Sequence, residues 1–104
     1  MKEWELIVRF GRTVHGIKAQ LEYESAQIMR FRVWGTKGSM LLENNYPTLF
    51  NGKSKRGVQW KIREGAMTEG TEQTSQLLID IFSQLEKIMK DYLEGKERQK
   101  FRFD

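Results

Sequence analysis

The chain has no cysteine, a single histidine and a single proline among its 104 residues. Without cysteine there can be no disulfide and no thiolate metal site. His15 stands alone beside Gly16, so no pair of imidazoles is available for a transition metal. Any nucleophilic scheme that needs both Cys and His is excluded as well; His15 reads as a surface turn residue. No segment approaches the roughly 18 consecutive apolar residues of a membrane span. The opening Met1-Lys2-Glu3-Trp4-Glu5-Leu6 is charged and lacks an apolar run followed by small residues, so a secretory signal is not expected. A cytoplasmic protein without cofactor or metal is the expectation. Internal repeats and low-complexity segments are also missing.

What is present is charge, divided by segment. Residues 1–64 hold 12 Lys/Arg against 6 Asp/Glu, residues 65–94 hold 2 against 6, and residues 95–104 hold 4 against 2. The pI near 9.5 favours anionic partners. With 38% apolar and 31% charged residues the chain is polar for a folded domain, yet 12% aromatic content argues against disorder. The length fits one domain with a modest core.

Alternation carries the first half. Trp4, Leu6, Val8 and Phe10 share one side of a strand over Glu3–Phe10. Gly11 to Gly16 reads as a turn. A second strand then puts Ile17, Ala19, Leu21 and Tyr23 inward, with Lys18, Gln20, Glu22 and Glu24 outward. After Ser25-Ala26, a third strand from about Gln27 to Trp34 turns Met29, Phe31 and Val33 inward and shows Arg30, Arg32 and Trp34 outside. Gly35-Thr36-Lys37-Gly38 makes a hairpin loop; it lacks the spacing of a phosphate loop and opens no helix. Ser39 to Glu43 is a fourth, shorter strand. Asn44 to Gly57 is a long loop holding Pro47 and the cluster Lys53-Ser54-Lys55-Arg56. Val58 to Arg63 closes the sheet, with Val58, Trp60 and Ile62 toward the core.

The second half predicts one helix, from a cap at Thr71 or Thr68 to a stop at Gly95. Its apolar residues, from Leu77 to Leu93, cover an arc of about 160°, wider than the roughly 100° stripe that one surface hides. The surplus would meet the long loop or a second copy in a homodimer. The fold class is therefore α+β: an antiparallel meander of four to five strands packed on one C-terminal amphipathic helix. Residues 1–95 form the domain, and residues 96–104 a basic C-terminal tail with two aromatics.

The strongest chemical pattern is the outer sheet face. Arg9, Arg30, Arg32, Lys61 and Arg63 point there with Trp34. Residues two apart on a strand are about 6.5 Å apart, near the phosphate spacing of a single nucleic-acid strand. Cations would hold phosphates while Trp34 stacks on a base, and Lys53, Lys55 and Arg56 would add charge without reading sequence. A plain solvated face is the alternative. Glu3 with Glu5, and Glu22 with Glu24, share faces but have no pocket around them, and read as solvated.

Several antiparallel strands, a basic loop and a C-terminal amphipathic helix, over roughly residues 3–94, give a layout similar to that of the small single-strand-binding modules of the Whirly and Pur-alpha types. The Lys-Gly-Lys-rich strand motif of Whirly proteins is absent, and no site residue is carried over. The expected function is non-enzymatic, sequence-tolerant binding of single-stranded DNA or RNA. The alternative is a protein-interaction or assembly module using the broad helix face and the edge strand Ser39 to Glu43.

Overall fold

A computed structural model describes residues 2–10, 12–52, 57–67 and 71–100. Five antiparallel strands lie side by side in chain order: β1 (Glu3–Phe10), β2 (Thr13–Glu24), β3 (Met29–Gly35), β4 (Gly38–Asn44) and β5 (Trp60–Met67). A short helix, α1 (Tyr46–Phe50), lies between β4 and β5, and the long helix α2 (Thr71–Lys100) packs on one face of the sheet. This is the α+β meander that the alternation predicts.

The core is the meeting of two periodicities. Leu6 and Val8, Ile17 and Ala19, Phe31 and Val33, Met40 and Leu42 come inward at every second position. Leu77, Ile81, Leu85 and Met89 come down from α2 at every fourth. Fully burying a Leu or Phe side chain is worth about 1.5–3 kcal/mol, so this layer supplies most of the drive to fold. No helix among the described residues is long and apolar enough to cross a membrane.

The wide apolar arc of α2 is met inside the chain. Trp60 stacks on Phe82 at 4.5 Å with only 10° between the rings. On the same flank α1 packs against α2, and Leu93 lines a groove with Pro47 and Phe50. The expected long loop thus contains a helix. Asn44 is buried; its Nδ2 donates to the Met29 carbonyl and its Oδ1 accepts from the Tyr46 amide. Pro47 then enters the first helical turn, where its missing amide proton is not needed.

Several boundaries differ from the sequence expectation. The β1–β2 connection is shorter than Gly11–Gly16, because Thr13 to Gly16 pair with Phe10 to Ile7; the β-branched Thr13 and Val14 suit a strand. His15 is therefore a strand residue opposite Val8. Strand β4 is not an edge; it lies between β3 and β5. Strand β5 starts at Trp60 and continues to a buried Met67, while Ile62, expected inside, is 46% exposed.

Helix α2 runs straight through Gly95. Beside that glycine, Tyr92 and Lys96 both donate to Glu24 Oε1, at 2.5 and 3.0 Å. Residues four apart share a helix face, so one carboxylate at the end of β2 anchors the turn that contains Gly95. Residues 96–100, expected in a tail, belong to the helix; 101–104 lie outside the described residues.

The two sheet edges are closed differently. On β1, the Gln84 side-chain amide imitates a neighbouring strand: the Ile7 amide donates to its Oε1 at 3.1 Å, and its Nε2 donates to the Ile7 carbonyl at 2.7 Å. On β5, a bulge around Arg63 and the side chains of Lys61, Arg63 and Glu64 blunt the edge.

Candidate nucleic-acid interface

Register decides which charges meet on the outer face. The hairpin pairs Gly35 with Gly38, and counting back along both strands puts Trp34 opposite Ser39, Arg32 opposite Leu41 and Arg30 opposite Glu43. Lys61 pairs with Glu43 from the other side. The five strands therefore bring Arg9, Lys18, Arg30, Arg32, Lys61 and Arg63 to one face, together with Glu3, Glu5, Glu22, Glu43 and Glu64. Six cations against five carboxylates make a nearly neutral checkerboard. The uniformly basic front expected from segment charge is not formed.

The cations are not spread evenly over it. Arg32, at the centre, donates through Nε to Glu22 at 2.9 Å and through Nη1 to Glu64 at 3.3 Å. The Glu22 hydrogen bond is the main reason its proton is held even more firmly than usual. Two carboxylates thus neutralise the residue that would have joined a continuous basic track. Lys18 pairs with Glu3 at 3.6 Å. Arg9 sits on β1 opposite Val14, beyond the β3–β4 hairpin end and at the far corner from Arg30. Trp34 is half-buried and stands four residues from Arg30, about 13 Å along the strand. Lys53, Lys55 and Arg56 lie outside the described residues.

Cations do converge where β3, β4 and the start of β5 meet. Arg30 Nε donates to Glu43 Oε1 at 2.8 Å, and Arg63 Nη1 reaches the same oxygen at 3.6 Å. Lys61 is the cross-strand neighbour of that carboxylate. Three cations around one anion leave a local balance of plus two. Glu43 registers them: its carboxyl is held below the usual 4.5, first by the Arg30 hydrogen bond and then by the charges of Arg63, Arg30 and Lys61, while partial burial opposes.

An aromatic ring completes this corner, and it is not Trp34. A bulge after Leu21 lets Glu22 and Tyr23 both reach the outer face. Tyr23 pairs with Arg30, whose guanidinium lies 5.0 Å from the ring centroid. Tyr23, expected inward, is 46% exposed. Glu24, expected beside Glu22, goes instead toward α2.

Tyr23 and Glu43 are the two site residues that alternation alone misses. Glu43 was within reach of the sequence, since the two-residue hairpin at Thr36-Lys37 fixes the pairing of Arg30. Tyr23 was not, because nothing in the pattern Leu21-Glu22-Tyr23-Glu24 marks a bulge.

Behind the sheet, α2 carries six Asp/Glu against five Lys/Arg. Tyr46 is held above its usual pKa by burial first and then by Glu94, Glu86 and Asp91 of α2. Comparison with known proteins adds no assignment: no protein-family model, no curated protein and no solved structure matches this chain.

Proposed function

We propose that this protein binds single-stranded nucleic acid without reading its sequence, at the corner formed by Tyr23, Arg30, Glu43, Lys61 and Arg63. The observation that carries this reading is the gathering of three cations around one carboxylate beside an exposed aromatic ring. Glu43 fixes Arg30 through Nε, so the two terminal guanidinium nitrogens remain to fork onto a phosphate. Tyr23 offers ring surface to a base, a contact indifferent to base identity and worth about 1–3 kcal/mol. The footprint is short, because Arg32 with its two carboxylates separates this corner from Trp34 and Arg9.

A labelled single-stranded oligonucleotide titrated at several salt concentrations tests the reading. Binding should weaken as salt rises, with a logarithmic slope of about −0.7 per phosphate neutralised. The double variant Lys61→Ala/Arg63→Ala should bind more weakly and lose roughly one to two phosphates' worth of that slope. Association no tighter than about 10⁻⁴ M at low salt, the weak end of ordinary non-specific binding, would refute it.

A further inference from the structure

The corner has an excess of charge over what one internal phosphodiester supplies. An internal phosphate carries one negative charge, and successive phosphates of an extended strand would step out of the cluster. Arg30 and Arg63 converge on the same Glu43 oxygen, and Lys61 stands across the strand pair. Two guanidinium groups thus meet at one carboxylate oxygen with a third cation on the facing strand, a local balance of plus two. A phosphate monoester carries about −1.5 to −2 at pH 7 and has three acceptor oxygens. It matches in charge, in compactness and in the number of donors around it.

The restraint on Arg30 points the same way. Its Nε is committed to Glu43, one side of its guanidinium faces Tyr23, and among the described residues Glu43 is its only ion-pair partner. An arginine so held presents its terminal nitrogens in one fixed direction, which suits bidentate capture of a phosphate better than sliding along a backbone. Tyr23 lies where the first base of a strand could stack once its terminal phosphate is seated on Arg30.

Building on the function proposed above, we infer that this corner grips the phosphorylated end of a single strand, in preference to its interior. The ligand class is an oligonucleotide bearing a terminal phosphate monoester. Glu43 and Tyr23 position Arg30; Arg30, Lys61 and Arg63 contact the phosphate.

The test uses the full chain and one short oligonucleotide made in three forms: with a 5′-phosphate, with a 3′-phosphate, and with hydroxyls at both ends. One phosphorylated form should bind about ten-fold or more tightly than the hydroxyl form, the size of one good charge-assisted interaction. Which one it is identifies the end that is read. The preference should shrink between pH 7.5 and about pH 5, as the monoester takes up its second proton with a pKa near 6. Arg30→Lys keeps the charge but loses the fork and should abolish the preference. The exposed Lys61→Gln should reduce it, and so guards against a folding defect in the first variant. Equal binding of all three forms would overturn this inference and leave general strand binding intact. A preference unchanged in both variants would place the phosphate elsewhere and also overturn it. Failure of every form to bind would remove the underlying function as well.

Discussion

At the scale of single residues, two kinds of position carry the account: glycines that no side chain can replace, and charges whose partners are set by register. Gly65 lies in β5 with φ of 78°, and a Cβ there would meet the Ser39 carbonyl oxygen at 2.0 Å. The position needs both a left-handed backbone and the absence of a side chain. Gly65→Ala should therefore cost at least about 1–3 kcal/mol of backbone strain, plus the displacement of β5 from β4. A denaturant melt showing less than about 0.5 kcal/mol of change, the usual range for harmless surface substitutions, would contradict the described pairing.

Glu43 gives the matching prediction for charge. Its folded-state pKa is depressed, so its contribution to stability is present above its ordinary value near 4.5 and is lost as pH falls through the lower folded value. Wild type should be more stable than Glu43→Gln near neutral pH. The two should converge as the medium becomes acid enough to protonate Glu43. A stability gap that stayed constant down to about pH 3, below the ordinary carboxylate range, would show that Arg30 and its neighbours do not act on this carboxyl. The arginines themselves were legible as outward-facing residues. The pairing of Arg30 with Glu43 was legible by counting back from the hairpin, whereas that of Arg32 with Glu22 and Glu64 was not, since both carboxylates sit beside bulges.

At the scale of elements, helix α2 shows a local preference overridden by an anchor. Glycine costs about 1 kcal/mol relative to alanine inside a helix, and at Gly95 this reads as a stop signal. The helix nevertheless continues, because Tyr92 and Lys96 are both tied to Glu24 on β2. The Lys2 and Lys96 ammonium groups also lie 5.6 and 5.4 Å from the Tyr92 ring centroid. Nothing stands within 4 Å of a Cβ built on Gly95. Gly95→Ala should therefore raise stability by about 0.5–1 kcal/mol and increase helix content. A loss of stability would mean that the helix ends there after all.

The strands were the most legible elements, since Leu6, Val8, Ile17, Phe31 and Val33 alternate without exception. What stayed hidden were the departures from alternation. The bulge at Glu22 sends Tyr23 outward, and the one at Arg63 puts Arg63 and Glu64 on the same face. Helix α1 was hidden as well. Its start depends on Asn44, which bonds the Met29 carbonyl and the Tyr46 amide; Asn44 follows Met40 and Leu42 in alternation, but a polar asparagine there reads as the start of a loop.

At the scale of the whole molecule, segment charge proved a partial guide. The residues beyond Gly95 join α2 and bring it to six Asp/Glu against five Lys/Arg, and Glu22, Glu43 and Glu64 sit among the arginines of the opposite face, so neither side keeps the charge of its segment. What survives is a corner of plus two at one end of a nearly neutral surface. A fixed arginine, two more cations and an exposed ring gather there. The broad apolar arc of α2 meets Trp60 and, from the segment that reads as a long loop, α1.

The most direct test is a residue-by-residue map: backbone amide resonances of the isotopically labelled protein, followed as a short single-stranded oligonucleotide is added. Shifts centred on Tyr23, Arg30, Glu43, Lys61 and Arg63, with Arg9 and Trp34 little changed, are the predicted result. Shifts centred on Arg9 and Trp34, or none at saturating oligonucleotide, would contradict it.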